Sequence, residues 1–184
     1  MIKPADLFYN TIQYYMVKLA NENDITALNI LVNSAYRDES SKQGWTTEAG
    51  ILDGIRTDEA SLKEMMLQSS SFILKYEEDN KITGCVYLRK EKDKMYLGML
   101  TVSPLIQNKG IGKILLSASE DEACKRNCNS IFMSVISIRT ELINWYKKYG
   151  YYDTGIKKPF PENDPRFGIP KTHLEFIILE KSIC

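Results

Sequence analysis

From Leu100 to Lys113 the chain reads Leu-Thr-Val-Ser-Pro-Leu-Ile-Gln-Asn-Lys-Gly-Ile-Gly-Lys, a strand-like run passing directly into a helix. Gly110 and Gly112 remove side chains where a ligand would have to approach the backbone. A helix starting here points its first free amides, and the positive end of its dipole, at the same spot. Lys109 and Lys113 add positive charge nearby. The chemistry served by such an arrangement is the binding of a phosphate or pyrophosphate. The alternative is that two glycines and Pro104 merely turn a strand into a helix. A magnesium-nucleotide phosphate loop fits badly, because that motif needs Ser or Thr after its lysine and Lys113 is followed by Ile114.

Other chemistry has less to work with. His173 is the only histidine, which excludes multi-histidine metal sites and leaves a Cys-His nucleophile pair without support. Cys85, Cys124, Cys128 and Cys184 lack the close, regular spacing of a disulfide scaffold. Cys124 and Cys128 stand four apart on an expected helix, a poor metal site without a nearby histidine, so no metal is expected. With 24 basic and 24 acidic residues the net charge is zero, and no whole-chain field draws in nucleic acid or an anionic membrane. Residues Met1–Ala20 carry no apolar signal core, which together with the cysteines points to the cytoplasm.

The elements that must position these residues follow from periodicity. At 184 residues, 43% hydrophobic and 26% charged, the chain is expected to form one domain, 1–184, with an ordinary core. Gln13–Leu19 reads as a strand by its aromatic and β-branched content. Leu28, Leu31, Val32 and Ala35 recur at three- and four-residue steps, predicting a helix over Ile25–Tyr36. Arg37–Gly54 reads as a polar loop and Glu59–Leu67 as a second helix. Ser71–Tyr76, Ile82–Arg89 and Met95–Val102 read as an antiparallel meander, broken at Asp79-Asn80-Lys81 and at Glu91–Lys94. A helix over about 110–126, a strand Ile131–Ile136 and a helix Thr140–Tyr149, stopped by Gly150, follow. A proline-rich loop then leads to a last buried strand, Leu174–Leu179. The class is therefore α/β or α+β, a mixed and mostly antiparallel sheet flanked by helices.

Gln107 through Gly112 matches the pattern Gln or Arg, two residues, Gly, one residue, Gly or Ala, and on it the sequence resembles the GNAT superfamily of N-acetyltransferases. The resemblance extends to Leu100, Val102 and Pro104 in the preceding strand and to Trp145-Tyr146-Lys147-Lys148-Tyr149-Gly150-Tyr151, covering about residues 70–182, with the signature over about 95–126 and a second helix at about 140–150. It implies a splayed sheet with acetyl-CoA between the strand ending at Val102 and the strand Ile131–Ile136. It further implies cofactor contacts from Leu100, Thr101, Val102, Gln107, Asn108, Lys109, Gly110, Ile111, Gly112 and Lys113. Tyr146 matches the tyrosine that often protonates the CoA sulfur; the alternative places it with Leu142 and Tyr149 on a core-facing stripe. Many members carry Asn where this chain has Arg139, and several carry a glutamate where it has Tyr96, so the obvious base is missing. Glu48, Asp53 and Glu175 are possible replacements, and no spacing chooses among them.

The acceptor side is expected from the N-terminal region. There Trp45 and Glu48, with Asp53, Arg56 and Asp58 following, suggest a polar pocket for an amine or amino-acid-like small molecule; in the alternative, Trp45 packs in the core and Thr46–Glu48 start a helix. The reaction expected is direct acetyl transfer to a primary amine in a ternary complex. A protein N-acetyltransferase and a non-catalytic acyl-CoA sensor are the competing readings, and a homodimer is the family habit.

Overall fold

The computed structural model describes residues 16–44, 46–162, 164 and 167–184. The chain runs β1 (Val17–Leu19), α1 (Ile25–Tyr36), β2 (Leu52–Asp53), α2 (Glu59–Leu67), β3 (Ser71–Glu78), β4 (Lys81–Glu91), β5 (Lys94–Val102), α3 (Ile111–Lys125), β6 (Ser130–Ile136), α4 (Thr140–Lys148), β7 (Tyr152–Pro159), β8 (Ile169–Pro170) and β9 (Glu175–Ser182). The first part of the strand expected over Gln13–Leu19 lies outside the described residues.

Seven strands form one sheet in the order β1-β3-β4-β5-β6-β9-β7, and β2 pairs with β8 in a small second sheet. Side chains alternate between its faces, as strand geometry requires. Leu74, Val86, Leu88 and Leu97 meet Ile111, Leu115 and Leu116 of α3 on one side. Ile73, Cys85, Tyr87 and Met99 meet Leu28, Leu31, Val32 and Leu62 of α1 and α2 on the other. The helical spacing that predicts α1 is thus the spacing of its buried face.

The parallel pair β5–β6 is the one break in an otherwise antiparallel ladder. It is also short. Lys94, Met95 and Tyr96 pair with Ser130, Ile131 and Phe132, yet β5 runs on to Val102 and β6 to Ile136. The β4–β5 register shifts between Cys85 and Tyr87, where Met99 takes a left-handed φ of 51°. An extra residue of this kind bends a strand and increases its twist. β5 and β6, by contrast, are unpaired from Leu97 and Met133 onward. On the sheet's other flank α3 lies close against β4: a Cβ at Gly84 would stand 2.9 Å from Leu115 Cδ1 and 3.0 Å from Ile111 Cγ2.

Two expectations are corrected. The proline-rich stretch is not all loop, because Ile169–Pro170 forms β8 against β2, and before it Tyr152–Pro159, which the sequence leaves unassigned, forms the edge strand β7 beside β9. The cysteines are not all free: Cys124, in the last turn of α3, is bonded to Cys184, and Cys128 lies beyond the helix end and is buried. The pair Cys124/Cys128 therefore does not act together, and the cysteine part of the argument for a reducing compartment falls. Among the described residues no helix is long and apolar enough to cross a membrane.

Candidate active site

The divergence of β5 from β6 opens a cleft bordered by two cavities. The first, of about 240 Å³, is lined by Leu100, Val102, Gln107, Asn108, Gly110, Ile111, Gly112, Lys113 and Tyr146, with Tyr36, Thr46, Leu142, Trp145 and Tyr149 completing the wall. Eight of the ten backbone positions implied for a cofactor are thus brought together with Tyr146. Thr101 is not among them: it is fully buried, and its hydroxyl donates to the Met99 carbonyl at 3.0 Å. Lys109 is exposed and lies outside the lining.

Local backbone explains the rim. Gly110 caps α3 at φ 82° and, having no side chain, makes no side-chain capping bond to the first amides of that helix. A residue other than glycine is strained in this left-handed region. Nothing lies within 4 Å of where a Cβ at Gly110 would stand, so the helix start faces open space. Helix starts of this kind attract anions through free amides and the macrodipole. Gln107 braces the loop, its Nε2 donating to Val102 O and Thr46 Oγ1, each at 3.3 Å.

The family model that matches is the acetyltransferase (GNAT) domain, over residues 37–167. The chain belongs to the GNAT family. It is similar to an acetyltransferase of Agrobacterium fabrum, 27% identical over 82 residues, a match covering 45% of this chain and 58% of that one. The matched stretch is thus little more than half of that relative. The fold is that of a ribosomal-protein-alanine N-acetyltransferase from Brucella melitensis, at TM-score 0.68 and 18% identity over 91% of this chain and 99% of the other. A GNAT family acetyltransferase from Elizabethkingia anophelis with acetyl-CoA bound matches at TM-score 0.57 and 20% identity, covering 66% of this chain and 81% of that one.

In this GNAT chain Tyr146 is buried at 5% exposure and stands at the join of the two cavities, since it also lines the second. Burial pushes its phenol well above the usual tyrosine range, with Tyr36 and Tyr96 adding to the rise and Arg139 opposing it. Edge-on ring contacts with Trp145 at 5.0 Å and Tyr151 at 5.8 Å fix the ring. Leu142, Tyr146 and Tyr149, the residues of the core-facing stripe, all line the first cavity.

The second cavity, about 400 Å³, continues from Leu100 and Tyr146 along β5 and β6. Glu48 lines it, but its carboxylate is ion-paired with Arg37, whose side chain is 5% exposed. Asp53 is paired with Lys171 at 2.9 Å, and Glu175 with Lys157 at 2.6 Å. Neither is at the cleft: Asp53 lines none of these cavities and Glu175 borders a separate one. Trp45 lies outside the described residues. Arg139 is buried, donating to Glu141 at 2.6 Å and to the Thr46 carbonyl at 3.4 Å, so it joins the start of α4 to the N-terminal wall.

Sequence reasoning missed Tyr36, whose hydroxyl donates to the Leu100 carbonyl at 2.7 Å and whose ring borders both cavities. Its place as the last residue of α1, one step along the buried stripe from Ala35, is the only local signal. Leu142, on the helical stripe, Trp145, in the helix that carries the resemblance, and Thr46, among the hydroxyls of the N-terminal region, also line the first cavity.

Proposed function

We propose that this chain transfers an acetyl group from acetyl-CoA to the primary amine of a small-molecule acceptor, by direct transfer in a ternary complex. The observation that carries the reading is the split between β5 and β6, with a glycine-lipped helix start on one side and a second cavity on the other, meeting at Tyr146.

The residues present suit acetyl-CoA. The open space over Gly110 and the free first amides of α3 suit a pyrophosphate. The part of β5 beyond Tyr96, no longer paired with β6, suits a peptide-like arm lying along a strand edge. When bound, acetyl-CoA supplies an activated thioester carbonyl and a thiolate leaving group. Leu100 and Val102 border the arm, and Gly112 keeps the wall low, with Trp145 and Val102 the nearest side chains to the place of a Cβ there, at 3.6 and 3.7 Å.

Tyr146 holds its proton at every working pH because burial opposes its ionisation, and it is the group assigned to hand that proton to the departing sulfur. No dedicated carboxylate base is assigned. Glu48 is engaged by Arg37, and Asp53 and Glu175 are salt-bridged away from the cleft. The acceptor amine attacks in its neutral form, an ammonium first losing a proton to water, and the proton the nitrogen sheds as the amide forms replaces the one Tyr146 gives to the sulfur.

The test is to mix the purified chain with acetyl-CoA and a panel of amines, amino acids, aminoglycosides and peptides, and to follow thiol release. Release that depends on a small amine supports the reading. Release with peptides alone makes the chain a protein acetyltransferase. CoA binding with no release for any acceptor makes it an acyl-CoA sensor.

A further inference from the structure

The chain carries no net charge, but the second cavity does. Its lining places four cations, Arg56, Arg89, Arg139 and Lys158, against two carboxylates, Glu48 and Glu91. Most of these are spoken for. Arg89 is ion-paired with Glu91, Arg139 with Glu141 and Glu48 with Arg37. Lys158 is exposed on β7. Arg56 is different. It is half-buried, and no carboxylate among the described residues comes within ion-pair distance of it. Its guanidinium instead lies over the Tyr36 ring, 5.4 Å from the centroid. Its backbone amide is tied to Asn33 Oδ1 at 2.8 Å, which anchors the residue to α1. In the adjoining outer cavity Arg56 and Arg89 are balanced by Asp58 and Glu64, but Asp58 is engaged in capping α2 through the Ser61 amide at 2.7 Å.

A guanidinium withdrawn from water without a counter-ion is costly, and chains normally pair it. A tyrosine face offsets part of that cost and leaves the planar donors of the fork available. That fork matches a carboxylate in two parallel hydrogen bonds. The ring beneath it is the one whose hydroxyl is bound to Leu100, at the point where the two cavities meet.

We infer that the acceptor carries a carboxylate as well as the amine, and that Arg56 is the residue that reads it. The inference rests on the acetyl-transfer reading above and names its acceptor class: an amino acid or other amino-carboxylic acid. Arg56 sets specificity by binding the acid group, while the apolar walls at Phe132 and Phe176 contact the remainder.

The experiment uses the full chain loaded with CoA. N-acetyl derivatives of the common L-amino acids, which stand for the reaction products, and their matching primary amides are titrated by calorimetry into wild type, Arg56→Met and Arg56→Lys. At least one acid should bind wild type about 10- to 100-fold more tightly than its amide, the size of one charge-assisted contact. Arg56→Met should bring that ratio close to one, Arg56→Lys should restore part of it, and CoA affinity should stay the same in all three. Acids and amides binding alike, or neither binding, overturns the inference while leaving acetyl transfer standing. An unchanged ratio in Arg56→Met also overturns it. Failure of CoA itself to bind wild type sinks the parent reading, and this one with it.

Discussion

The hydroxyl of Tyr36, the last residue of α1, reaches to the carbonyl oxygen of Leu100, 2.7 Å away, on the part of β5 no longer paired with β6. The bond ties α1 to the strand that borders both cavities. Burial pushes the Tyr36 phenol up to about 12, so the hydroxyl stays a donor at working pH. Tyr36→Phe leaves the carbonyl without this partner. The expected cost is about 1 kcal/mol, read as a Tm lower by about 2–4 °C for a chain of this size. The acceptor KM should rise more than the CoA Kd. An unchanged Tm together with an unchanged KM would show that the bond positions nothing.

Tyr146→Phe removes the proposed acid and little volume. Turnover should fall by about 100-fold or more, with CoA affinity by calorimetry nearly unchanged. The phenol is raised, so it stays protonated below pH 10 and contributes no descending limb to the rate profile there; the ascending limb belongs to the acceptor amine losing its proton. If turnover survives, the assignment is wrong; a descending limb near neutral pH that disappears in the variant would instead show that burial does not raise the phenol.

Much of this site is written locally. Gln107–Gly112 is legible as a turn into a helix because that is a short-range pattern, and Tyr146 is singled out only through the family resemblance of its helix; Ile25–Tyr36 follows from apolar spacing and Glu59–Leu67 from helical composition. The cleft itself is not legible. It depends on three β5–β6 pairs ending at Tyr96 and Phe132 and on the left-handed Met99, a conformation nothing local signals in a methionine. Edge strand β7 escaped notice for a related reason: Gly155, Lys157 and Lys158 leave it no apolar alternation, and its exposed residues are ordered only by pairing with β9. Arg56 is marked in the sequence by its charge, but that no carboxylate among the described residues pairs with it is a tertiary fact.

The two glycines of the loop should respond differently to substitution. Gly110 sits at φ 82° with open space beyond it, so Gly110→Ala should cost about 1–2 kcal/mol through backbone strain alone. Gly110→Glu adds a negative charge over the helix start and should abolish CoA binding in a chain that still folds. A Cβ at Gly112 meets Trp145 and Val102 at ordinary contact distances of 3.6 and 3.7 Å. Gly112→Ala should therefore leave Tm within about 2 °C of wild type, allowing for the lower backbone entropy cost of alanine in a helix. CoA affinity unchanged in Gly110→Glu would remove the pyrophosphate from this loop.

Acid sensitivity should be concentrated at β3. Lys75 is 7% exposed, and its ammonium lies 2.7 Å from Asp24 and 2.8 Å from Glu77, while Lys18 reaches Glu77 at 2.9 Å. Hydrogen bonds from Lys75 first and Lys18 second hold the Glu77 carboxyl down at about 2, against 4.5 for a free glutamate. The folded value lies below the unfolded one, so the folded state gains from the ionised group. That gain is complete above about pH 4.5 and is lost as the pH falls toward 2. Glu77→Gln should therefore be less stable than wild type at pH 7, and the difference in Tm should shrink as the pH is lowered from about 5 to about 2.5. A constant difference across that window would mean that Glu77 acts through packing and not through charge.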